Sequence, residues 1–496
     1  MNLSQEPDQE DSLRRRFTRG AFWSLAGIAG SRICTFLGAI IAARFLGQTG
    51  FGELAIIQST IGLMGTFTGL GIGLTAIRYV ADLSRQEPDR TGRIIALTYQ
   101  SSWIAGGGMA FLSLAAAPWL AAHILNAPHL TGQLRLASLL LFVSTIFGPQ
   151  LGVLTGFQAF RSLARINWSQ GLASLLLIAV LAWGAGLTGV IVAMILANAM
   201  GGIMATRALG RECRDLGIRL NFREAWREKA ILWQFSLPSF LSDALHMPVV
   251  WAANAILVNQ PGGYAELGVF NAANQFRVLI LFLPNILAAV TIPLLAEIHG
   301  QNDRQHFAQV ANLNLRTIWI FALGVAFTII GCSSWLMGLF GKQFADGRTI
   351  LALLAGVAIL QTANGTVGQS LAGSGRMWAG FVMNLFWATV LLASLVNLVH
   401  LGALGLTLAY ALAYLCHTLW QLGYSWVKFG RASVQYSSSL LVLTGVAFLL
   451  AIGLRWVPEM VSITLGLCLA GIAGLWGWRL LPGAGWRKLG EIFRPA

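Results

Sequence analysis

Charge is scarce in this chain. Asp, Glu, Lys and Arg make up 10% of its 496 residues, against about a quarter in a soluble globular domain, so an ordinary water-soluble fold is excluded. Acid is scarcer still, with 19 Asp and Glu against 33 Lys and Arg and a net charge of +14. Only five cysteines occur (Cys34, Cys213, Cys332, Cys416 and Cys468), scattered and without metal or redox spacing. That leaves no basis for a metal centre and makes each a packing residue. A nucleotide loop is missing too: Gly69, Gly71 and Gly73 lie in an apolar stretch with no strand before them, where close helix packing is the better reading. No cofactor is expected. Extended outer loops carrying acids and bases are also lacking, since Pro118–Thr131 holds no Asp, Glu, Lys or Arg. This argues against a membrane enzyme such as a glycan polymerase or glycosyltransferase.

What the chain has is apolar length. Hydrophobic residues reach 56% and mean hydropathy is +0.68. Many runs exceed the roughly 18 residues that mark a membrane helix, and in lipid only a helix satisfies its own backbone within one segment. The fold class expected is an all-α integral membrane protein of about 14 transmembrane helices. They lie near 20–46, 52–80, 93–117, 133–157, 163–184, 187–206, 231–258, 266–294, 312–337, 348–370, 377–399, 403–427, 438–456 and 461–481.

The basic residues sit in short connections and so point to a membrane face, not to nucleic acid. With the N-terminal tail inside, 26 Lys and Arg fall on inner loops and helix ends and five on outer ones. The positive-inside rule then places both termini in the cytoplasm. The tail, with Arg14, Arg15 and Arg16, reads as an anchor without a cleavable signal. The polar run Arg207–Lys229 carries seven of the basic residues and reads as a cytoplasmic joint that should accept a short insertion. The organisation expected is a tail over 1–19, a six-helix lobe over 20–206, a linker over 207–230, a second six-helix lobe over 231–428, and two extra helices with the C-terminus over 429–496.

A repeat supports the two lobes. GLTGVIVA from Gly186 resembles GALGLTLA from Gly402, and Gly52 and Gly268 share the same offset of 216 residues. TAIRYVAD ending at Asp82 resembles VTIPLLAE ending at Glu297, an offset of 215. Six helices per lobe give the lobes one orientation.

Charged and polar residues inside the spans are the candidate site, because a charge at mid-membrane is costly and needs a function or a partner. Arg32 lies in the first span and Arg277 in the eighth, the latter following Asn271 and Asn274 at helical spacing. The seventh span carries Ser236, Ser239, Asp243, His246 and Asn254 on one face, between and beyond Pro238 and Pro248, which should bend it. Arg32 and Asp243 occupy equivalent first spans of the two lobes, so a structural ion pair is an alternative to a substrate role. Gln361 and Asn364 read as interhelical hydrogen-bonding glue. Arg44 and Glu53 flank one outer turn and read as an ion pair or a helix cap.

GAFWSLAG, ARFLGQTGFGELAIIQS and GLGIGLTAIRYVAD in the first lobe, with GYAELGVFNAANQFRVLILFLPNILAAVTIPLLAEIHG in the second, resemble the polysaccharide-transporter flippases. That superfamily also holds multidrug extruders and the lipid II flippase. The likeness covers most of residues 18–430. Where many relatives carry an Asp late in the seventh span, this chain has Asn254. The resemblance implies a flippase that moves a polyprenyl-diphosphate-linked oligosaccharide between leaflets of a bacterial inner membrane by alternating access. It also implies a functional link to polysaccharide polymerase and chain-length machinery. The residues add a reason: mid-membrane arginines suit a diphosphate through planar, bidentate donors. Arg277 and Arg32 are therefore the expected diphosphate ligands, and Asn271, Asn274, Ser239, Asp243, His246 and Asn254 the expected cavity lining. A multidrug extruder is the alternative, and it would want cavity acids that this chain largely lacks.

Overall fold

The computed structural model describes residues 6–69, 72–231, 245–434, 437–453 and 457–480. Every regular element among them is helical, as the hydropathy demands. Among the described residues nine helical stretches are long and apolar enough to cross a membrane, and the shorter apolar helices His246–Val258 and Glu459–Leu475 add to them.

Several expected spans are joined end to end. Helix α1 runs Glu6–Gly69 and is interrupted at Gly47, where φ is 69° and ψ −175°. Helix α5 runs Phe160–Asp215 and is interrupted at Gly186, with φ 53° and ψ −132°. Glycine alone enters that region without a Cβ penalty, so one residue separates two spans with no loop.

The described residues fall into two compact units. The first holds α1 apart from Gly47–Gly52, together with α2 (Ile72–Leu83), α3 (Pro88–Trp119), α4 (Thr131–Gly156) and α5. Here α4 packs against α2, α3 and α5. The second unit runs from Ala252 onward, through most of α6 (His246–Val258) and all of α7 (Gly263–Ile280) and α8 (Phe282–Gly300). It continues with α9 (Arg304–Gly331), α10 (Ser333–Gly338), α11 (Arg348–Gly373), α12 (Met377–Leu398) and α13 (Ala403–Phe429), then α14 (Ser437–Gly453) and α15 (Glu459–Leu480). Its centre is α11, whose apolar stretch is 89% buried and which packs against α7, α8, α9, α13 and α14. The last two helices dock by small residues and one polar tie. Gly466 of α15 meets the backbone of Gly331 of α9, and Trp319 Nε1 donates to Thr444 Oγ1 of α14 at 3.1 Å.

The repeat has a physical basis in how closely backbones approach. Gly402, before α13, has φ 64° and ψ −136°, nearly the values at Gly186. Three residues on, a methyl at Gly189 would lie 1.9 Å from the Leu181 carbonyl oxygen, and one at Gly405 1.9 Å from that of Leu398. Gly156 of α4 sits on Val80 and the Ile77 carbonyl of α2, as Gly373 of α11 sits on Leu295 and the Ile292 carbonyl of α8. Inside the second unit the contact is reciprocal: Gly52 abuts the Tyr264 carbonyl and Gly268 the Gln48 carbonyl. In each of these pairs the small residue is required by its neighbour.

The polar joint, expected to accept a short insertion, is packed along much of its length. Helix α5 continues through Asp215, and the stretch after it folds onto α3 of its own unit. Ile218 and Ala225 are buried, Gly92 of α3 leaves room for the Arg219 carbonyl, and Gln100 Nε2 donates to the Phe222 carbonyl at 2.9 Å. Glu228, 12% exposed, bridges Arg90 at 3.3 Å and Arg93 at 3.1 Å. A stretch with this many like charges docks because the half-buried carboxylate of Glu228 falls between two arginines. Glu53, read as a partner for Arg44, lies 2.7 Å from His129 Nε2.

Candidate functional site

Arg277 organises a polar cluster in the second unit. The eighth expected span is broken: α7 ends at Ile280, Leu281 forms a turn, and α8 starts at Phe282. Pro284 lies in the first turn of α8, and its missing N–H and ring favour a helix start over a continuous helix. Arg277 occupies the last turn of α7, where the free carbonyls of a helix end favour a cation.

The guanidinium is held by neutral acceptors. Its Nε donates to Asn274 Oδ1 and its Nη1 to Gln361 Oε1 of α11, both at 2.6 Å. Its carbon lies 5.6 Å over the ring of Tyr410 of α13, a cation–π distance. Tyr410 is packed from three sides: Phe270 stacks at 5.8 Å, Tyr414 at 6.3 Å, and Trp387 of α12 tilts in at 6.5 Å. Among the described residues no carboxylate forms an ion pair with Arg277. A guanidinium has five N–H donors; Asn274 and Gln361 take two and the Tyr414 hydroxyl is in reach of another, which leaves donors for an incoming anion.

Polar atoms continue along α11 and α13. Asn364, one turn past Gln361, has both amide atoms buried without a partner among the described residues. His417 and Gln421 of α13 pair with each other at 3.1 Å, leaving His417 Nδ1 and Gln421 Oε1 unmatched among the described residues. A second chain joins Thr291, Asn314 and Gln369 across α8, α9 and α11. Groups like these are satisfied by water or by a ligand, since leaving them bare is costly.

Of the expected site residues, Arg277 and Asn274 come together directly. Asn271 lies on the same helix, half-buried, with Nδ2 unmatched among the described residues. Asn254 is 7% exposed with its Oδ1 also unmatched among them. His246 is exposed at the start of α6. Arg32 is exposed on α1 in the other unit, beside a helix face whose Gly27, Ser31 and Cys34 pack against α5. Ser239 and Asp243 lie outside the described residues, and with them the Arg32–Asp243 pair. Sequence reasoning missed Tyr410, Tyr414 and Trp387, and read Gln361 as interhelical hydrogen-bonding glue without naming Arg277 as its partner. The available signal was Tyr-x-x-x-Tyr followed by His417 and Gln421 at helical spacing, in a chain with seven tyrosines.

Comparison with known proteins follows the same line. Residues 17–299 match the family described as "Polysaccharide biosynthesis protein", which covers more than half of the chain. The chain belongs to this family. It is 24% identical over 427 residues to the EPS I polysaccharide export inner membrane protein EpsE of Ralstonia solanacearum, covering 82% of this chain and 93% of that one. Among solved structures it is similar to the lipid II flippase MurJ in an inward closed conformation. There the TM-score is 0.69 at 15% identity, covering 92% of this chain and 99% of that one. An inward-facing multidrug resistance MATE family transporter of the MOP superfamily also gives a TM-score of 0.69 at 15% identity, covering 85% and 99%. At these identities the two structures establish the family member's fold, a MATE- and MurJ-like helical transporter fold, and leave its cargo to the chemistry of the site.

Proposed function

We propose that the protein is a flippase that carries a polyprenyl-diphosphate-linked oligosaccharide from the inner to the outer leaflet of a bacterial inner membrane by alternating access. It acts as a carrier and not as a catalyst. One observation carries the reading: Arg277 is a cation at span depth, oriented by two amide oxygens and an aromatic face, with donors to spare and no paired carboxylate among the described residues. An extruder of cationic drugs would need the opposite polarity there. The family assignment and the similarity to EpsE support the polysaccharide class, and the MurJ-like fold supports transfer of a lipid-linked cargo.

In this reading Arg277 and Arg32 bind the diphosphate. Asn271, Asn274, Asn254, His246, Ser239 and Asp243 line the path, with Gln361 and Tyr410 orienting Arg277. The topology proposed is 14 spans in two six-helix lobes plus two C-terminal helices, with both termini cytoplasmic on the charge bias. Polymerase and chain-length proteins would take over the flipped product. Outward movement of about two negative charges gains on the order of 4–5 kcal/mol per 100 mV of membrane potential. The test is reconstitution into vesicles with a fluorescent polyprenyl-diphosphate oligosaccharide and, in parallel, a cationic dye. Lipid exposed to an external quencher in a protein-dependent way is the expected result. Dye transport without lipid movement would overturn the proposal in favour of the extruder.

A further inference from the structure

A second basic site lies in the same unit, separate from the Arg277 cluster. The ends of α8, α9, α12 and α13 enclose a cavity of about 670 Å³, within the roughly 300–1,000 Å³ usual for ligand pockets. Arg304, Arg376, Lys428 and Arg431 line it, against one carboxylate, Asp303. That carboxylate is already committed, since it accepts the His306 N–H at 2.9 Å as the cap of α9. No ion pair engages any of the four cations among the described residues. Two helices start at the cavity and two end there, so their dipoles largely cancel and the side chains set the potential. Arg376 is preset: its guanidinium lies 5.6 Å over the Phe429 ring and donates to the Tyr424 hydroxyl at 3.3 Å.

The cavity floor is apolar, with Phe307 and Phe429 5.0 Å apart. Beside it, Trp378 is 80% and Trp426 56% exposed, aromatics of the kind that settle at a membrane–water boundary. Three apolar spans, Arg304–Gly331, Met377–Leu401 and Ala403–Phe429, also terminate at this level. Cations over an apolar floor at headgroup depth suit a ligand that is anionic at one end and greasy at the other.

We infer that this cavity binds the phosphate of a lipid headgroup. The chemistry is a phosphate ester on a hydrophobic anchor, from either an anionic phospholipid or a polyprenyl diphosphate. The site stands whether or not the chain is a flippase. The test uses the full chain in nanodiscs of phosphatidylcholine with a minor share of phosphatidylglycerol, reading retained lipid by native mass spectrometry. Arg304→Ala, Lys428→Ala and Arg431→Ala together remove three exposed side chains and should cut phosphatidylglycerol retention roughly a hundredfold. The charge-matched control Arg219→Ala, Arg223→Ala and Lys229→Ala, all exposed on the linker, should retain it. Equal loss in both triple variants, or loss in neither, overturns the site. Added polyprenyl diphosphate then separates the sources: displacement of phosphatidylglycerol assigns the pocket to both lipids, and no displacement assigns it to phospholipid alone. Displacement by inorganic pyrophosphate at equal concentration overturns the lipid requirement.

Discussion

Gln361→Glu is the most direct perturbation of the proposed anion site. It changes one atom group in place and leaves Arg277 where it is. The amide oxygen at 2.6 Å from Nη1 becomes a carboxylate oxygen, and the cation, without a carboxylate partner among the described residues, becomes half of an ion pair. At an effective dielectric of about 20, such a pair is worth about 4 kcal/mol at 4 Å, and the distance here is shorter. A diphosphate must then displace the carboxylate to use the same donors, which weakens its hold by roughly a thousandfold. Glycan export should fall to background while the protein inserts at a normal level. Arg277→Ala should do the same by removing the cation. Arg277→Lys should rescue in part, because an ammonium keeps the charge but reaches only one of Asn274 and Gln361 and has no fork. Gln361→Leu keeps the charge and removes one acceptor. It should cost about 1–3 kcal/mol in orientation, a 5- to 150-fold loss that leaves measurable export. The assay is surface glycan in cells lacking the native gene, normalised to membrane protein. Full export by Gln361→Glu, or by Arg277→Ala, would refute the anion site.

Three further outcomes are expected. Gly189→Ala and Gly405→Ala should lower the folded yield to a similar extent, since each added methyl meets a carbonyl at 1.9 Å, whereas Gly184→Ala, with nothing within 4 Å, should be silent; thermal unfolding of the purified proteins measures this. The joint should resist insertion between Asn221 and Ala225, and Gly92→Ala, whose methyl would lie 2.0 Å from the Arg219 oxygen, should release it; protease cleavage within 217–229 in inverted membranes reads both, and a joint equally protected in the variant would show that the docking is not what shields it. Cysteines placed in 210–228 or near Arg431 should be protected from impermeant thiol reagents in intact cells while those at 260–263 or near Ala345 label; the reverse pattern would invert the topology.

How much of this was legible in the sequence depends on the physical signal each feature leaves. Helicity and the membrane class follow from hydropathy alone, because lipid permits few alternatives. The offset of 216 residues was legible because the positive φ at Gly186 and Gly402 and the close backbone approach at Gly189 and Gly405 both disfavour a side chain, so the same small residues recur. The broken eighth span left a readable mark in Pro284, but the span is apolar on both sides of Leu281 and hydropathy averages across the break. The docking of the joint was hidden for the converse reason: polarity marks a connection, yet Glu228, Ile218 and Ala225 bind it to α3 through contacts that no local count of charge detects.

The partners of Arg277 lay furthest from reach. Arg277 stood out because a cation within a span is rare, and Asn274 because it is one turn away. Gln361 is 84 residues off and Tyr410 still further, and an aromatic in a span looks the same whether it faces lipid or a guanidinium. Helical periodicity says which residues share a face of one helix. It says nothing of which face turns toward which neighbour, and that azimuth is fixed by packing around α11. The distinction matters for function, because the sequence alone left Arg277 open to neutralisation by some distant acid. Among the described residues its surroundings, Asn274, Gln361 and Tyr410, are neutral, and a cation held by neutral dipoles retains its attraction for an anion that comes and goes.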